Sequence, residues 1–136
     1  MPAVLNLTQL ARLCYSFFSD ELCGSGLDAG AAISGSCGFL VPLLPDVPFE
    51  FMDKVMDVIK STSRHTYLIL TKRAERMAEY FATRAIPKNA WLGVTVDVKN
   101  SKNRIDYLRH LYAPVRFLSC EPLLEDLGEL NLENID

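Results

Sequence analysis

Six polar or charged residues of this 136-residue chain end or follow three short apolar runs, where their side chains could bind an anion or move a proton. They are Lys72, Arg73, Thr95, Asp97, Ser119 and Glu121. Lysine and arginine bind phosphate and carboxylate groups, and a pair of carboxylates can hold a metal ion or transfer a proton. These residues form a site only if the fold brings the ends of the three runs together.

The three apolar runs have the length and composition of buried β-strands, being rich in β-branched and aromatic residues. They cover residues 67–71, 91–96 and 115–120. Amphipathic helices are predicted over 46–61, 73–85 and 100–112. This order predicts an α/β fold: a partial (β/α) barrel, with a parallel sheet of three to four strands, three flanking helices and an additional N-terminal helix. In such sheets, ligands bind at the carboxyl ends of the strands.

Alternation along each strand decides which side chains share a face of the sheet. In the run over 91–96, one face is purely aliphatic, and the other carries Thr95 and is continued by Asp97. In the third run, Ser119 and Glu121 share a face. We expect the aliphatic faces to pack against the helices and the polar faces to line the inside of the partial barrel.

Lys72 is expected to lie beside Asp97 and Glu121, in a small charged cluster at one end of the sheet. In one interpretation, Lys72 and Arg73 bind a phosphate or carboxylate ligand at a helix start, where free backbone amides favour an anion. In the other, Lys72 forms a stabilising ion pair with Glu121 and there is no ligand. Charged residues are common at strand ends, so the sequence leaves both interpretations open.

Composition restricts the class of protein. The net charge is −3, so we expect no nonspecific binding to nucleic acid or to an acidic membrane. No apolar run approaches the length of a membrane-spanning helix, and no secretory signal is evident. We therefore expect a cytoplasmic protein. The cysteines form neither a CxxC motif nor a zinc-finger pattern, and we predict no metal site. They are Cys14, Cys23, Cys37 and Cys120.

The first 45 residues differ from the rest of the chain in composition and in residue pattern. Leucine and phenylalanine recur at helical spacing over 4–18, and a glycine-rich stretch follows. A possible strand over 37–44 contains Pro42, which would confine it to the edge of a sheet. We therefore divide the chain into a divergent N-terminal segment, 1–45, and a β/α barrel-fragment domain, 46–136.

Two smaller expectations concern the core and the C-terminal segment. Trp91 begins the second strand and is predicted to belong to the core. The segment after Gly128 is acidic and is predicted to be loosely attached at its end.

Five motifs of the second segment are distinctive in their order and spacing. They are DVPF at 46–49, HTY at 65–67, LTKRAERM at 70–77, WLGVTV at 91–96 and RFLSCEPLL at 116–124. Through these motifs, residues 46–127 resemble a phage-associated family of uncharacterised proteins that are predicted to be radical-SAM-like partial TIM barrels. The resemblance supports the barrel-fragment fold and includes Lys72, Arg73 and Glu121 in its motifs.

The resemblance also implies an iron–sulfur cluster and S-adenosylmethionine, because members of that family carry an N-terminal three-cysteine motif. Here Cys14, Cys23 and Cys37 are too widely spaced for that motif, and cluster ligands must converge on one point. We therefore predict no cofactor.

Two functions follow from these observations. The first is a non-catalytic binding or interaction module, derived from a radical-SAM-like barrel and stabilised by self-association as a homodimer, since a barrel fragment exposes a sheet edge and apolar side chains. The second is a cut-down enzyme or ligand-binding protein, acting on a phosphorylated or nucleotide-like ligand at the carboxyl ends of the strands. Whether the protein is an enzyme stays open at this point.

Overall fold

The computed structural model describes residues 38–39 and 48–136. These residues form a four-stranded sheet in which every neighbouring pair of strands is parallel and the strands follow one another in chain order. The strands are β1 (Gly38–Phe39), β2 (Tyr67–Thr71), β3 (Ala90–Thr95) and β4 (Arg116–Ser119). The helices are α1 (Phe49–Ser61), α2 (Ala74–Phe81) and α3 (Arg104–Arg109), with a 3₁₀ turn at Lys99–Ser101. The predicted α/β fold is confirmed.

The observed helices are shorter than their predicted ranges. Helix α1 begins after Pro48, whose carbonyl accepts hydrogen bonds from the amides of Phe51 and Met52. Helix α3 begins late because the hydroxyl of Ser101 accepts hydrogen bonds from the amides of Asp97 and Val98, which holds the preceding residues in a 3₁₀ turn. The predicted helix over 4–18 lies outside the described residues.

The helices pack against one face of the sheet. In a sheet whose parallel strands follow chain order, right-handed crossovers place all the connecting helices on the same side. Leu92 and Val94 of β3 and Ile69 of β2 point toward the helices and are completely buried, as Val55 of α1 is. The aliphatic face predicted for β3 is therefore confirmed, and the arrangement is that of a segment of a (β/α) barrel.

Within residues 48–136, the opposite face of the sheet is only partly covered. Trp91, which we expected in the core, is 37% exposed, and Leu68 and Leu70 are half-buried. The expectation for Trp91 was wrong because alternation turns its side chain away from the helices, to the face that corresponds to the inside of a barrel. On this face the ring of Phe117 lies directly over the backbone of Gly93, its register partner in β3.

At the amino ends of the strands, one side chain joins two polar loops. The side-chain nitrogen Nδ2 of Asn89 donates hydrogen bonds to the carbonyl oxygens of Ile59 (2.8 Å), Thr62 (3.3 Å) and His65 (3.0 Å). These carbonyls belong to the end of α1 and the turn that follows it. Asn89 therefore connects the loop before β3 to the loop before β2.

The C-terminal segment is anchored along α3, which corrects the expectation of a loosely attached tail. Leu127 is buried in the core. The side chain of Arg109 donates to the carbonyls of Asn131 (3.0 Å) and Glu133 (2.7 Å), and Lys102 donates to the carbonyl of Glu129 (2.8 Å). At the very end, the carboxylate of Asp136 accepts a 2.9 Å hydrogen bond from the amide of Arg116. The acidic composition was misleading because the other contacts use the backbone of the segment and this acidic side chain has a partner. Among the described helices, none is long and apolar enough to cross a membrane.

We expect Gly93→Ala to destabilise the domain by about 1–3 kcal/mol, because a Cβ at this position would overlap the ring of Phe117. In a Phe117→Ala background, the same substitution should be neutral or slightly stabilising, since alanine is preferred to glycine inside a strand. Urea unfolding, followed by the fluorescence of Trp91, measures both effects. If Gly93→Ala lowered the free energy of unfolding equally in the two backgrounds, the ring of Phe117 would not be what excludes a larger side chain at position 93.

Candidate anion-binding site

The carboxyl ends of β2 and β3 bring a lysine and an aspartate together. Thr71 pairs in register with Val94, so the residues that follow each strand meet at the same edge of the sheet. There the ammonium nitrogen of Lys72 lies 2.7 Å from Oδ2 of Asp97. Asp97 is only 6% exposed, whereas the side chain of Lys72 is 46% exposed. The carboxylate is thus inside the protein, and its lysine partner reaches the surface.

A second cation completes the surroundings of Asp97. The guanidinium of Arg104 lies 3.3 Å from Oδ1 of Asp97 and donates a 2.6 Å hydrogen bond to the carbonyl of Thr95. The hydrogen bond from Lys72 is the main cause that lowers the pKa of Asp97 to about 2, against the opposing effect of burial. Asp97 therefore stays ionised and holds two cations, one from the residues that follow β2 and one from the start of α3.

These two cations line a groove of about 540 Å³ between α2 and the segment that contains the 3₁₀ turn and α3. Four cationic side chains line it, together with the two carboxylates Glu75 and Glu79. The cationic ones are Lys72, Arg73, Arg76 and Arg104. With Asp97 included, four cations face three carboxylates, so the groove keeps a small excess of positive charge in a protein whose net charge is −3, and such local charge attracts anions.

Helix α2 begins in the same groove. The amide of Arg73 donates a 2.9 Å hydrogen bond to the hydroxyl of Thr71, and the amide of Met77 donates to the carbonyl of Arg73. The amides between these two residues lie in the first turn, where helix geometry provides no carbonyl partner. Within the described part of the chain, the side chain of Arg73 forms no hydrogen bond or ion pair. It is exposed and free to bind an anion at this helix start.

The structure brings together some of the residues predicted for the site. Lys72 and Arg73 line the groove, and Asp97 lies behind it. Thr95 is 4% exposed and contributes its carbonyl, which holds Arg104.

The other two predicted residues lie apart from the groove. Ser119 is half-buried in β4, opposite Thr95 in register. Glu121 is exposed and forms no ion pair with any residue of the described part. The alternative of a Lys72–Glu121 ion pair is therefore wrong, because the lysine pairs with Asp97 at the end of the adjacent strand.

The second wall of the groove was not predicted from the sequence. Its residues are Asn100, Asn103, Arg104 and Tyr107. They recur at the spacing i, i+3, i+4 and i+7, which places side chains on one face of a helix. This polar stripe is a signal in the sequence for Arg104 and Tyr107 as groove residues.

Among residues 48–136, no group of three histidine, cysteine, aspartate or glutamate side chains is close enough to hold a metal ion. Cys120 is a half-buried free thiol, whereas Cys14, Cys23 and Cys37 lie outside the described residues.

The fold and the groove place the protein in a class of β/α domains. In this class the parallel strands follow chain order, and a basic groove lies at the carboxyl ends of two neighbouring strands. The chain belongs to the family described as protein of unknown function (DUF5131), whose model matches residues 42–136. No curated protein and no solved structure matches the chain.

We expect Asp97→Asn to destabilise the domain by about 1–2 kcal/mol near pH 7, because it removes a buried carboxylate from between two cations. The pKa of Asp97 is lowered on folding, so its contribution to stability is present above about pH 4 and is lost as the pH falls toward 2. The difference between variant and wild type in urea unfolding should shrink over this range.

The matched control is Asp106→Asn, since the side chain of Asp106 is 70% exposed and pairs with Arg109 at 3.1 Å. It should change the stability by less than about 0.5 kcal/mol. An equal effect of the two substitutions, or a pH-independent effect at Asp97, would contradict the structural role given to this carboxylate.

Proposed function

We propose that the domain is a non-catalytic binding module whose groove takes a small ligand with a phosphate group. The proposal rests on one observation. Asp97 holds Lys72 and Arg104 in place at the groove, and Arg73 and the first turn of α2 line the same groove. Cations held in place before binding lose little conformational freedom when the ligand arrives, which favours affinity. A phosphate matches this combination because arginine, lysine and helix-start amides all bind its oxygens.

The state of Asp97 favours binding over proton transfer. A general acid or base works best with a pKa near the operating pH, whereas the pKa of Asp97 is about 2 and both its oxygens contact cations. Its role in the proposal is to position Lys72 and Arg104. The alternative is a cut-down enzyme that acts on the same phosphorylated ligand, and turnover of such a ligand by the purified protein would favour it.

A relationship to radical-SAM-like barrels and to phage-associated proteins forms part of the proposal. Two observations support the barrel part: the motifs between residues 46 and 127, and a parallel sheet whose strands follow chain order with helices on one face. Neither an iron–sulfur cluster nor S-adenosylmethionine belongs to the proposal, because the three-cysteine motif does not occur in the sequence.

Phosphate binding is tested by calorimetric titration with inorganic phosphate and pyrophosphate at low ionic strength. We expect Arg73→Ala to weaken binding roughly tenfold to a hundredfold, the loss expected for one charge-assisted hydrogen bond. It should leave stability unchanged, because this side chain has no partner in the described part of the chain. Added salt should weaken the binding further.

The control for this experiment is Lys88→Ala, which removes an exposed cation that does not line the groove. Its affinity for phosphate should equal that of the wild type. The proposed function fails if millimolar phosphate and pyrophosphate do not bind, or if both variants bind equally well.

Self-association is a second candidate function, and exposed apolar side chains favour it. Leu123 and Leu124 are 61% and 65% exposed, and Trp91 is 37% exposed on the open face of the sheet. The amide of Leu124 donates to the carbonyl of Asp97, so the leucine pair lies beside the strand ends. Adjacent exposed leucines are typical of surfaces that contact another protein chain.

We expect the purified protein to be a homodimer in light scattering coupled to size-exclusion chromatography. The double substitution Leu123→Ser and Leu124→Ser should shift it toward monomer, because it removes apolar surface from the contact. Tyr112→Ser is the control, since this residue is 96% exposed and lies before β4, whereas the leucine pair lies beyond the carboxyl ends of the strands. A wild-type monomer, or a dimer that the leucine substitutions leave intact, would speak against this candidate.

A further inference from the structure

We propose that the ligand of the groove is a nucleoside phosphate, with its phosphate at Lys72 and Arg73 and its base stacked on Tyr107. This inference rests on the proposed function, since it names the class of ligand for the same groove. It goes further by assigning a role to the wall formed by the 3₁₀ turn and α3.

The two ends of the groove differ in chemistry. Both walls begin at the carboxyl ends of strands, one with Lys72 and Arg73 and the other with Asn100. Glu79 and Tyr107 line the groove further along the two helices. Six residues of helix separate Arg73 from Glu79, which is about 9 Å at the usual rise per residue. On the other wall, Tyr107 follows the cation Arg104 by three residues, which is about 4.5 Å along α3, so the aromatic ring lies one helical turn from a cation, a spacing that a ribose can bridge.

Tyr107 is available for stacking. It is 36% exposed and follows Arg104 by three residues, so both side chains project from the same face of α3 into the groove. Within the described part of the chain, its ring forms no aromatic contact and its hydroxyl forms no hydrogen bond. An exposed ring on the wall of a basic groove suits a nucleobase, because every base has a face that can stack on it.

The polar residues between the two ends suit the rest of such a ligand. The side-chain amides of Asn100 and Asn103 form no hydrogen bonds with the described residues, so they can bind ribose hydroxyls. The exposed carboxylate of Glu79 can accept hydrogen bonds from the amino group of a base. The volume of about 540 Å³ is also within the usual range for small-molecule sites, whereas a lone phosphate would leave most of it to water.

The experiment compares inorganic phosphate, ribose 5-phosphate, adenosine monophosphate and guanosine monophosphate by calorimetric titration of the full chain. We expect at least one nucleotide to bind roughly tenfold more tightly than ribose 5-phosphate, the increment expected for stacking of one base. Tyr107→Ala should abolish that increment and leave the affinity for ribose 5-phosphate unchanged. Tyr107→Phe should retain the increment, because it keeps the aromatic face.

Tyr112→Ala is the matched control, because Tyr112 is 96% exposed and does not line the groove. Its nucleotide affinity should equal that of the wild type, and circular dichroism should show that all variants are folded. If neither nucleotide binds more tightly than ribose 5-phosphate, or if Tyr107→Ala weakens both alike, the nucleotide inference is wrong. Binding of phosphate through Arg73 would then still support the proposed function. If none of the four ligands binds, both the nucleotide inference and the proposed function are wrong.

Discussion

The buried carboxylate of Asp97 is the constraint on which the rest of the site depends. A charge in this position is stable only with partners of opposite charge, and they come from separate places in the chain: Lys72 after β2 and Arg104 in α3. The requirement to neutralise one aspartate therefore determines where two cations stand. It also ties a short helix to the ends of two strands, so the walls of the groove and the sheet form one unit.

Much of the fold was predictable from the sequence, because burial leaves a clear periodic signal. The strand over 67–71 was predicted to the residue, and the aliphatic face of β3 identified the side that the helices cover. The ends of the helices were less predictable, since they depend on local hydrogen bonds. The hydroxyl of Ser101 decides where α3 begins, for example, and no hydrophobic pattern reports it.

The candidate site was predictable only in part. Lys72, Arg73 and Asp97 follow strands, and parallel neighbours necessarily bring such residues to one edge. The choice between Asp97 and Glu121 as the partner of Lys72 could not be made, because both faces of the run over 67–71 are apolar and its alternation is ambiguous. Tyr107 belongs to a helix–helix groove, and such a groove exists only after two helices have packed.

The anchoring of the C-terminal segment determines which changes of sequence in that segment would disturb the groove. Helix α3 has six residues, too few to be stable alone, and Arg109 secures it by binding the backbone of Asn131 and Glu133. Backbone carbonyls are supplied by any amino acid, so substitutions at Asn131 and Glu133 should leave these two contacts intact, whereas the length of the segment is not free to vary. An insertion or deletion near Glu129 would shift α3 and disturb the groove as directly as a change of Arg104.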